Sequence, residues 1–136
     1  MREPLLVILH AGYAWLVLAL ALLGLAALGL ASRSAALHAM TAGAFGTMTL
    51  AVMTRVTLGH TGRALTADGW TTALFVLVNV GAAARVLASL VPAVHLPALH
   101  LAGLAWGGAF LAYALRYGPM LLGPRVTRAA PLAGAR

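Results

Sequence analysis

The chain has 136 residues, of which 62% are hydrophobic and 8% are charged. Soluble domains are typically about 45–50% apolar, so this composition excludes a water-soluble fold and predicts an integral membrane protein. The formal net charge is +7, but the arginines are not interleaved with aromatic residues as in single-strand-binding proteins. We therefore expect anionic lipid, and not nucleic acid, as their partner. Cysteine is absent, which excludes disulfides, thiolate metal sites and iron–sulfur clusters.

Four apolar segments follow one another along the chain, and each reaches the roughly 20 residues that cross a bilayer. They cover residues 4–30, 35–58, 71–91 and 97–117. Pro4 and Pro97 suit the first turn of a helix, Asp68 suits a helix N-cap, and Pro119 is expected to end the fourth helix. We predict an all-α fold, in which a single transmembrane domain over residues 1–136 forms a four-helix bundle.

The distribution of arginine predicts how the bundle lies in the membrane. Arg33 lies alone in a loop on one side of the predicted bundle. The opposite side carries five arginines: Arg2, Arg63, Arg125, Arg128 and Arg136. Because cytoplasmic loops are enriched in basic residues, both termini are expected in the cytoplasm. The tail over residues 121–136 contains Pro124 and Pro131 and is expected to lie on the surface or to be disordered.

With four crossings, the five histidines fall into two layers. His10 and His60 lie on the cytoplasmic side, and His38, His95 and His100 lie on the outer side. Imidazoles that meet at one level of a helical bundle are typical of b-type cytochromes, and neutral imidazole is also the commonest ligand for metals such as copper or zinc. The alternative is that each interfacial histidine only hydrogen-bonds water, a lipid headgroup or a carbonyl.

One arginine accompanies each layer of histidines. Arg55 lies about one turn inside the second helix on the cytoplasmic side, and Arg85 lies inside the third helix toward the outer side. Either side chain could extend to the interface, or it could grip a haem propionate, because a guanidinium matches a carboxylate with two hydrogen bonds. Tyr13 shares a helix face with His10 and is either an ordinary interfacial aromatic residue or a hydrogen-bond partner of a ligand on a metal.

Small residues mark two of the predicted helices. Gly43 and Gly46 give the second helix a flat strip, and Gly103 and Gly107 form a GxxxG pattern in the fourth. Such strips favour close approach of helix backbones in lipid, and the alternative is that they leave space for a flat macrocycle. A hydrolytic centre is not indicated, because the chain has only two acids and no nucleophile motif.

Three stretches of the chain resemble the NnrS family: LHAGYAWL (residues 9–16), HAMTAGAFGTMTLAVMTRVTLGHTGR (residues 38–63) and YGPMLLGPR (residues 117–125). NnrS proteins are polytopic bacterial membrane proteins that contain haem and copper and are associated with denitrification and with resistance to nitric oxide and nitrosative stress. The resemblance is to the C-terminal third of typical members, so a short chain of this kind is expected to self-associate. It implies that His10, His38 and His60 are functional, because they fall inside the matching motifs.

The residues and the resemblance together favour a multi-pass membrane haem protein of the NnrS type in the bacterial inner (cytoplasmic) membrane. The expected cofactor is haem b, with copper as a second candidate, and nitric oxide is the candidate ligand. His10 and His60 are the expected ligands in the cytoplasmic layer, where Arg55 would anchor a propionate or polarise a bound ligand. His38, with His100 as its candidate partner, would serve a second haem or a copper. The expected partners are the lipid bilayer, haem and further copies of the chain.

Two other functions fit the same residues. One is a di-haem b-type electron-transfer module, in which two firm imidazoles occupy both axial positions of each iron. The other is a cofactor-free transport or sensor subunit, in which the histidines carry protons or a metal ion. The residues leave open whether the chain is an enzyme.

Overall fold

The computed structural model describes residues 3–126, and its long elements are all helices. The elements in order are α1 (Pro4–Ala27), α2 (Arg33–His38), a π-helical segment (Ala39–Phe45), α3 (Gly46–His60), α4 (Gly69–Leu90), a 3-10 turn (Pro92–Val94) and α5 (His95–Leu122). By length and composition, four helical spans are able to cross a membrane, and the second of them runs continuously over Arg33–His60. The prediction of an all-α, four-span membrane bundle is therefore confirmed. Of the predicted tail, residues 127–136 lie outside the described residues.

The first and second spans each end at a glycine in the left-handed conformation. Gly29 and Gly62 have φ angles of 74° and 75°, which cost glycine little because it has no Cβ. After Gly62, the Arg63 N–H donates to the carbonyl of Leu58 at 2.9 Å, the hydrogen bond that closes a Schellman motif. The same motif at Gly29 ends α1 at Ala27, three residues before the predicted end of that segment.

The predicted N-cap of the third span is confirmed, and the predicted end of the fourth span is wrong. Asp68 caps α4 as predicted, because its Oδ1 accepts the backbone N–H of Thr71 at 2.8 Å. The prediction that Pro119 ends the fourth helix is wrong, since α5 continues through Pro119 to Leu122. Proline in the last turn removes only one backbone hydrogen bond, and a helix end tolerates that loss.

Hydrogen bonds between spans show which helix ends lie together. The hydroxyls of Thr71 in α4 and Tyr117 in α5 are 2.6 Å apart, and the hydroxyls of Ser34 in α2 and Ser89 in α4 are 3.4 Å apart. Consecutive spans are therefore antiparallel. We refer to the end where α1 begins and α5 finishes as the terminal end. The opposite end, which carries the α1–α2 and α4–α5 connections, is the loop end.

The interior changes character between these two ends. Large side chains fill the terminal half, where the buried residues include Leu5, Ile8, Leu50, Leu58, Leu74, Phe75, Val78, Tyr113 and Tyr117. Toward the loop end the buried cluster is mostly alanine: Ala19, Leu22, Ala35, Ala36, Ala39 and Val86. Short side chains let helix backbones approach one another in lipid, so α1, α2 and α4 are held together at the loop end by close backbone packing.

Glycines mark the closest contacts between helices. A Cβ added to Gly43 would lie 2.6 Å from the ring of Trp15, and one added to Gly46 would lie 2.7 Å from Nε1 of Trp106. A Cβ added to Gly81 would lie 2.6 Å from the backbone nitrogen of Trp106. The predicted strip of Gly43 and Gly46 is therefore closely packed, but against tryptophan side chains and not against the backbone of another helix.

The GxxxG pattern of α5 does not pack in this way. A Cβ at Gly103 or Gly107 would meet nothing within 4 Å, so these glycines do not pack closely against another helix of the same chain. The neighbouring face of α5 is the buried one, and its small residues are Ala98, Ala102, Ala105 and Ala109. Alanine already allows α5 to approach α4, which leaves the glycine face open.

Candidate functional site

A cavity toward the loop end brings together two predicted site residues from different spans. His38, the last residue of α2, and Arg85, in α4, both line this cavity, which has a volume of about 440 Å³. The rest of the lining is small or apolar apart from one threonine: Thr41, Ala42, Gly81, Leu99, Ala102, Gly103 and Trp106. We refer to it as the His38–Arg85 cavity.

The π-helical segment forms part of the wall beside His38. It begins at Ala39, directly after that histidine. A π turn contains one residue more than an α turn, so the segment changes the direction in which His38 points relative to α3. Trp106 of α5 donates from Nε1 to the carbonyl of Ala42 in this segment at 3.1 Å, which holds α5 beside it. Single π turns are frequent at functional sites.

A pair of serines holds Arg85 in place. Its Nη1 donates to Oγ of Ser89 at 3.0 Å, and that oxygen lies 3.4 Å from Oγ of Ser34 in α2. Arginine has five N–H donors, so this arrangement leaves several for a ligand. Among residues 3–126 the ion pair is between Arg116 and Asp68, and no carboxylate pairs with Arg85. The cavity therefore presents an imidazole and a guanidinium without a protein counter-ion.

The terminal end carries a second cavity that also contains a histidine and an arginine. Its volume is about 540 Å³, and its lining consists of Arg55, Val56, Gly59, His60, Leu65 and Arg125. Arg55 and His60 are the pair that the sequence placed in one layer, whereas Arg125 was not predicted as a site residue. We refer to it as the basic cavity.

His10 and Tyr13 lie apart from the basic cavity. Both are exposed on α1, and Tyr13 is 63% exposed. The Nδ1 of His10 lies 2.8 Å from the carbonyl of Leu6 within its own helix. Neither side chain is in the lining of the cavity that contains His60. Their roles as metal ligand and as partner of a metal-bound ligand stay predictions.

The other two histidines that were predicted to lie on the outer side also lie outside the His38–Arg85 cavity. His100 is exposed on α5 and is not among the residues that line this cavity, so its role as a partner of His38 stays a prediction. The Nδ1 of His95 lies 2.8 Å from the carbonyl of Ala88, which ties the start of α5 to the end of α4.

A larger cavity between α1 and α4 contains no titratable group. Its volume is about 580 Å³, and its lining is almost wholly apolar: Pro4, Val7, Ile8, Ala11, Thr72, Phe75, Val76, Asn79, Val80 and Ala83. Asn79 is the most polar of these residues, and its amide is already used. Its Oδ1 accepts from Nε1 of Trp15 at 2.8 Å, and its Nδ2 donates to the carbonyl of Phe75 at 2.7 Å. This cavity is a gap between helices and lacks the groups that hold a cofactor.

One protein family matches almost the whole described chain. A model of the family described as NnrS protein matches residues 1–125. The chain belongs to the NnrS family. It is therefore a multi-pass membrane protein of a family that is linked to the nitric oxide response. No curated protein and no solved structure gives a significant match.

In this NnrS chain the His38–Arg85 cavity contains one imidazole and one guanidinium. The described residues bring no three histidine, cysteine, aspartate or glutamate side chains together. Protein-only metal centres usually need three or four such ligands. A haem needs only one or two axial ligands from the protein, and its propionates pair with arginine. An imidazole and a guanidinium in one cavity meet that requirement.

The sequence predicted only the Asp68 cap of a polar cluster at the terminal end of the NnrS bundle, and not its contacts with Arg116 and Tyr117. Oδ2 of Asp68 accepts from Nη2 of Arg116 at 2.8 Å, and its Oδ1 accepts both the N–H and the hydroxyl of Thr71. The hydrogen bonds from the Thr71 backbone and hydroxyl, and then Arg116, hold the pKa of Asp68 below its usual value, while burial opposes them. Arg116 therefore anchors α5 to the N-terminus of α4.

Two tyrosines extend this cluster into the bundle. The hydroxyl of Tyr117 lies 2.6 Å from that of Thr71, and its ring stacks on Tyr113 with 4.9 Å between centroids. The hydroxyl of Tyr113 lies 2.8 Å from that of Thr57 in α3. The spacing of the tyrosines by four residues on one helix was the available signal, because buried tyrosines in lipid require hydrogen-bond partners.

Proposed function

We propose that the chain is a haem protein of the nitric oxide response, in which His38 would ligate the haem iron and Arg85 would bind a propionate. The observation that carries the proposal is that an imidazole from α2 and a guanidinium from α4 line one cavity. Imidazole is a common haem ligand, and the planar guanidinium matches a propionate carboxylate. The NnrS membership and the four spans support this assignment and a place in the bacterial inner membrane.

The rest of the cavity fits a flat and largely apolar group. Its volume of about 440 Å³ is within the roughly 300–1,000 Å³ of typical ligand pockets. Gly81, Ala102 and Gly103 contribute little side-chain bulk, and Trp106 supplies an aromatic wall. The open space at Gly103, where a Cβ would meet nothing, supports the alternative use of this glycine face as room for a macrocycle.

The number of histidines at the cavity bears on its chemistry. A haem iron with an open axial position supplies a binding site for nitric oxide, whereas two firm imidazoles favour electron transfer. One histidine lines the cavity, and His100 is exposed outside it. This arrangement favours nitric oxide binding over the electron-transfer module. His38 would hold the haem iron, Arg85 would hold a propionate, and Trp106 would form one wall of the site.

The proposal is tested by the absorption spectrum and haem content of the purified protein in detergent. We expect His38→Ala to lose the Soret band and Arg85→Gln to retain less haem than the wild type. His60→Ala is the control, because His60 lines the basic cavity and not the His38–Arg85 cavity. Full haem content in His38→Ala would contradict the proposal.

Two further measurements separate the alternatives. Nitric oxide added to the reduced protein should shift the spectrum, and an unchanged spectrum would exclude direct binding. Haem loss in His100→Ala as well as in His38→Ala would indicate two imidazoles and favour electron transfer. A colourless wild-type protein after haem supplementation would favour the cofactor-free subunit.

A further inference from the structure

The basic cavity at the end of α3 is built by the return of the C-terminal chain. The Val126 N–H donates to the carbonyl of Thr61 at 3.0 Å, directly after α3 ends. A side chain at Gly62 would collide with the carbonyl oxygen of Val126, so the glycine is needed for this contact as well as for its φ angle. The contact places Arg125 in the cavity with Arg55 and His60.

The charge of this cavity has no counter-ion within the described residues. Three of its six lining residues are basic. The whole sequence contains two acids, Glu3 and Asp68, and Asp68 is paired with Arg116. Glu3 precedes α1 and makes no ion pair within residues 3–126. At the same helix end, Nη1 of Arg63 is buried and has no hydrogen-bond partner among the described residues. The dipole of α3 contributes only about half a negative charge at its C-terminus, which does not balance two guanidinium groups.

The cavity lies at the end of a membrane-spanning helix, where the bilayer interface is expected. Arg55 lies five residues before the last residue of α3, which is about 7.5 Å along a helix axis. At that depth a guanidinium reaches the level of lipid phosphates. Val56 and Leu65 also line the cavity, and each is about half exposed. The lining therefore combines cationic groups with apolar surface, as the boundary between headgroup and acyl chain requires.

We propose that Arg55, His60 and Arg125 bind the phosphate headgroup of an anionic phospholipid. The guanidinium groups of Arg55 and Arg125 would donate hydrogen bonds to the phosphate oxygens, the imidazole of His60 would donate a further one, and the apolar residues would face the start of the acyl chains. The site is distinct from the His38–Arg85 cavity and does not depend on haem being bound there.

Native mass spectrometry of the detergent-solubilised protein tests this site. The protein is titrated with phosphatidylglycerol and, separately, with phosphatidylcholine of the same acyl chains. We expect tighter binding of phosphatidylglycerol, and about fivefold weaker binding in Arg55→Gln and in Arg125→Gln, since a basic residue near an anionic surface contributes about 1 kcal/mol. Arg33→Gln is the matched control, because Arg33 is exposed at the loop end. Size-exclusion profiles and helical circular dichroism establish that each variant is folded, and rising salt should weaken binding to the wild type.

Four results would overturn the proposal. Equal binding of the two lipids would mean that the charge of the headgroup does not determine binding. Equal weakening of lipid binding by Arg33→Gln would indicate general electrostatic attraction and not a local site. Competition by inorganic phosphate at concentrations similar to those of the lipid would assign the site to a free anion. Loss of haem in Arg55→Gln with unchanged lipid binding would assign Arg55 to a propionate. Haem content is measured in the same samples, so that a wrong lipid proposal is distinguished from a wrong haem proposal.

Discussion

The His38–Arg85 cavity and the basic cavity contain the same pair of residue types in different surroundings. The first lies between α2, α4 and α5, is walled by glycine, alanine and tryptophan, and holds its arginine by a hydrogen bond to Ser89. The second lies at a helix end, adds Arg125 and has exposed apolar neighbours. A histidine and an arginine therefore do not define a function by themselves. The space between helices at one end suits a flat cofactor, and the excess of positive charge at the other suits a phosphate.

The largest expected effect on stability and haem binding comes from a change in the distance between α4 and α5. We expect Gly81→Ala to destabilise the protein by about 1–3 kcal/mol, because its Cβ would meet the backbone of Trp106 and push α5 away from α4. The same change should abolish haem binding in the His38–Arg85 cavity and leave phosphatidylglycerol binding unchanged. Thermal unfolding in detergent and the haem assay measure the two effects.

Gly103→Ala is the matched control for that variant. Gly103 lines the same cavity, but a Cβ there meets nothing within 4 Å. Alanine also favours a helix over glycine by up to about 1 kcal/mol, so stability should stay equal or rise. Equal destabilisation by the two variants would mean that the contact at Gly81 does not set the spacing of α4 and α5.

The chemistry of the two arginines gives the next largest effect. Arg85→Lys keeps the charge but removes the planar fork, and we expect haem affinity to fall about 10- to 100-fold, since a hydrogen bond to a charged group contributes about 1.5–3 kcal/mol. Arg55→Lys should leave haem affinity unchanged. Titration of the haem-free protein with haem measures both constants, and equal losses would place a propionate at each cavity.

The spans were predictable because length and hydropathy determine them. Four apolar segments of about 20 residues or more are sufficient to predict four crossings, and Asp68 before the third is a recognisable cap. The layers of histidine and arginine followed from those crossings, and His60 with Arg55 does share a cavity. The pairing of His38 with Arg85 was not predicted as a contact, although both were assigned to the outer side.

The inward face of each helix was harder to predict for a physical reason. In lipid both the core and the surroundings are apolar, so hydrophobic periodicity does not mark the buried face. His10 and the GxxxG of α5 illustrate this, because His10 is exposed and Gly103 has no close neighbour. The π-helical segment has no signature in the sequence either, yet it begins directly beside His38. The docking of Val126 depends on a contact between distant parts of the chain.

The tyrosine cluster should matter for the terminal end alone. Tyr113→Phe removes the hydrogen bond to Thr57 and the longer one that the hydroxyl donates to the carbonyl of Met53, and it leaves the buried Thr57 hydroxyl without its partner on α5. We expect a loss of about 0.5–1.5 kcal/mol in the free energy of unfolding, as for single hydrogen bonds between helices. Haem content should not change. Loss of haem in this variant would show that the two ends are coupled more strongly than their separate cores suggest.

The smallest expected effect is the pH dependence of the Asp68 cap. The Thr71 hydrogen bonds and Arg116 lower the pKa of Asp68 in the folded chain below the value of about 3.9 in an unfolded one. Asp68 therefore stabilises the fold above that value, and the stabilisation is lost as the pH falls through the folded pKa. Asp68→Asn keeps a capping side chain but cannot ionise, so its unfolding temperature should fall less than that of the wild type below pH 4. The two proteins should differ by less than about 1 kcal/mol in the free energy of unfolding that they lose on acidification, because the Asp68–Arg116 pair is nearly half exposed. An equal fall in both proteins would mean that the charge of Asp68 does not contribute to the acid sensitivity of the fold.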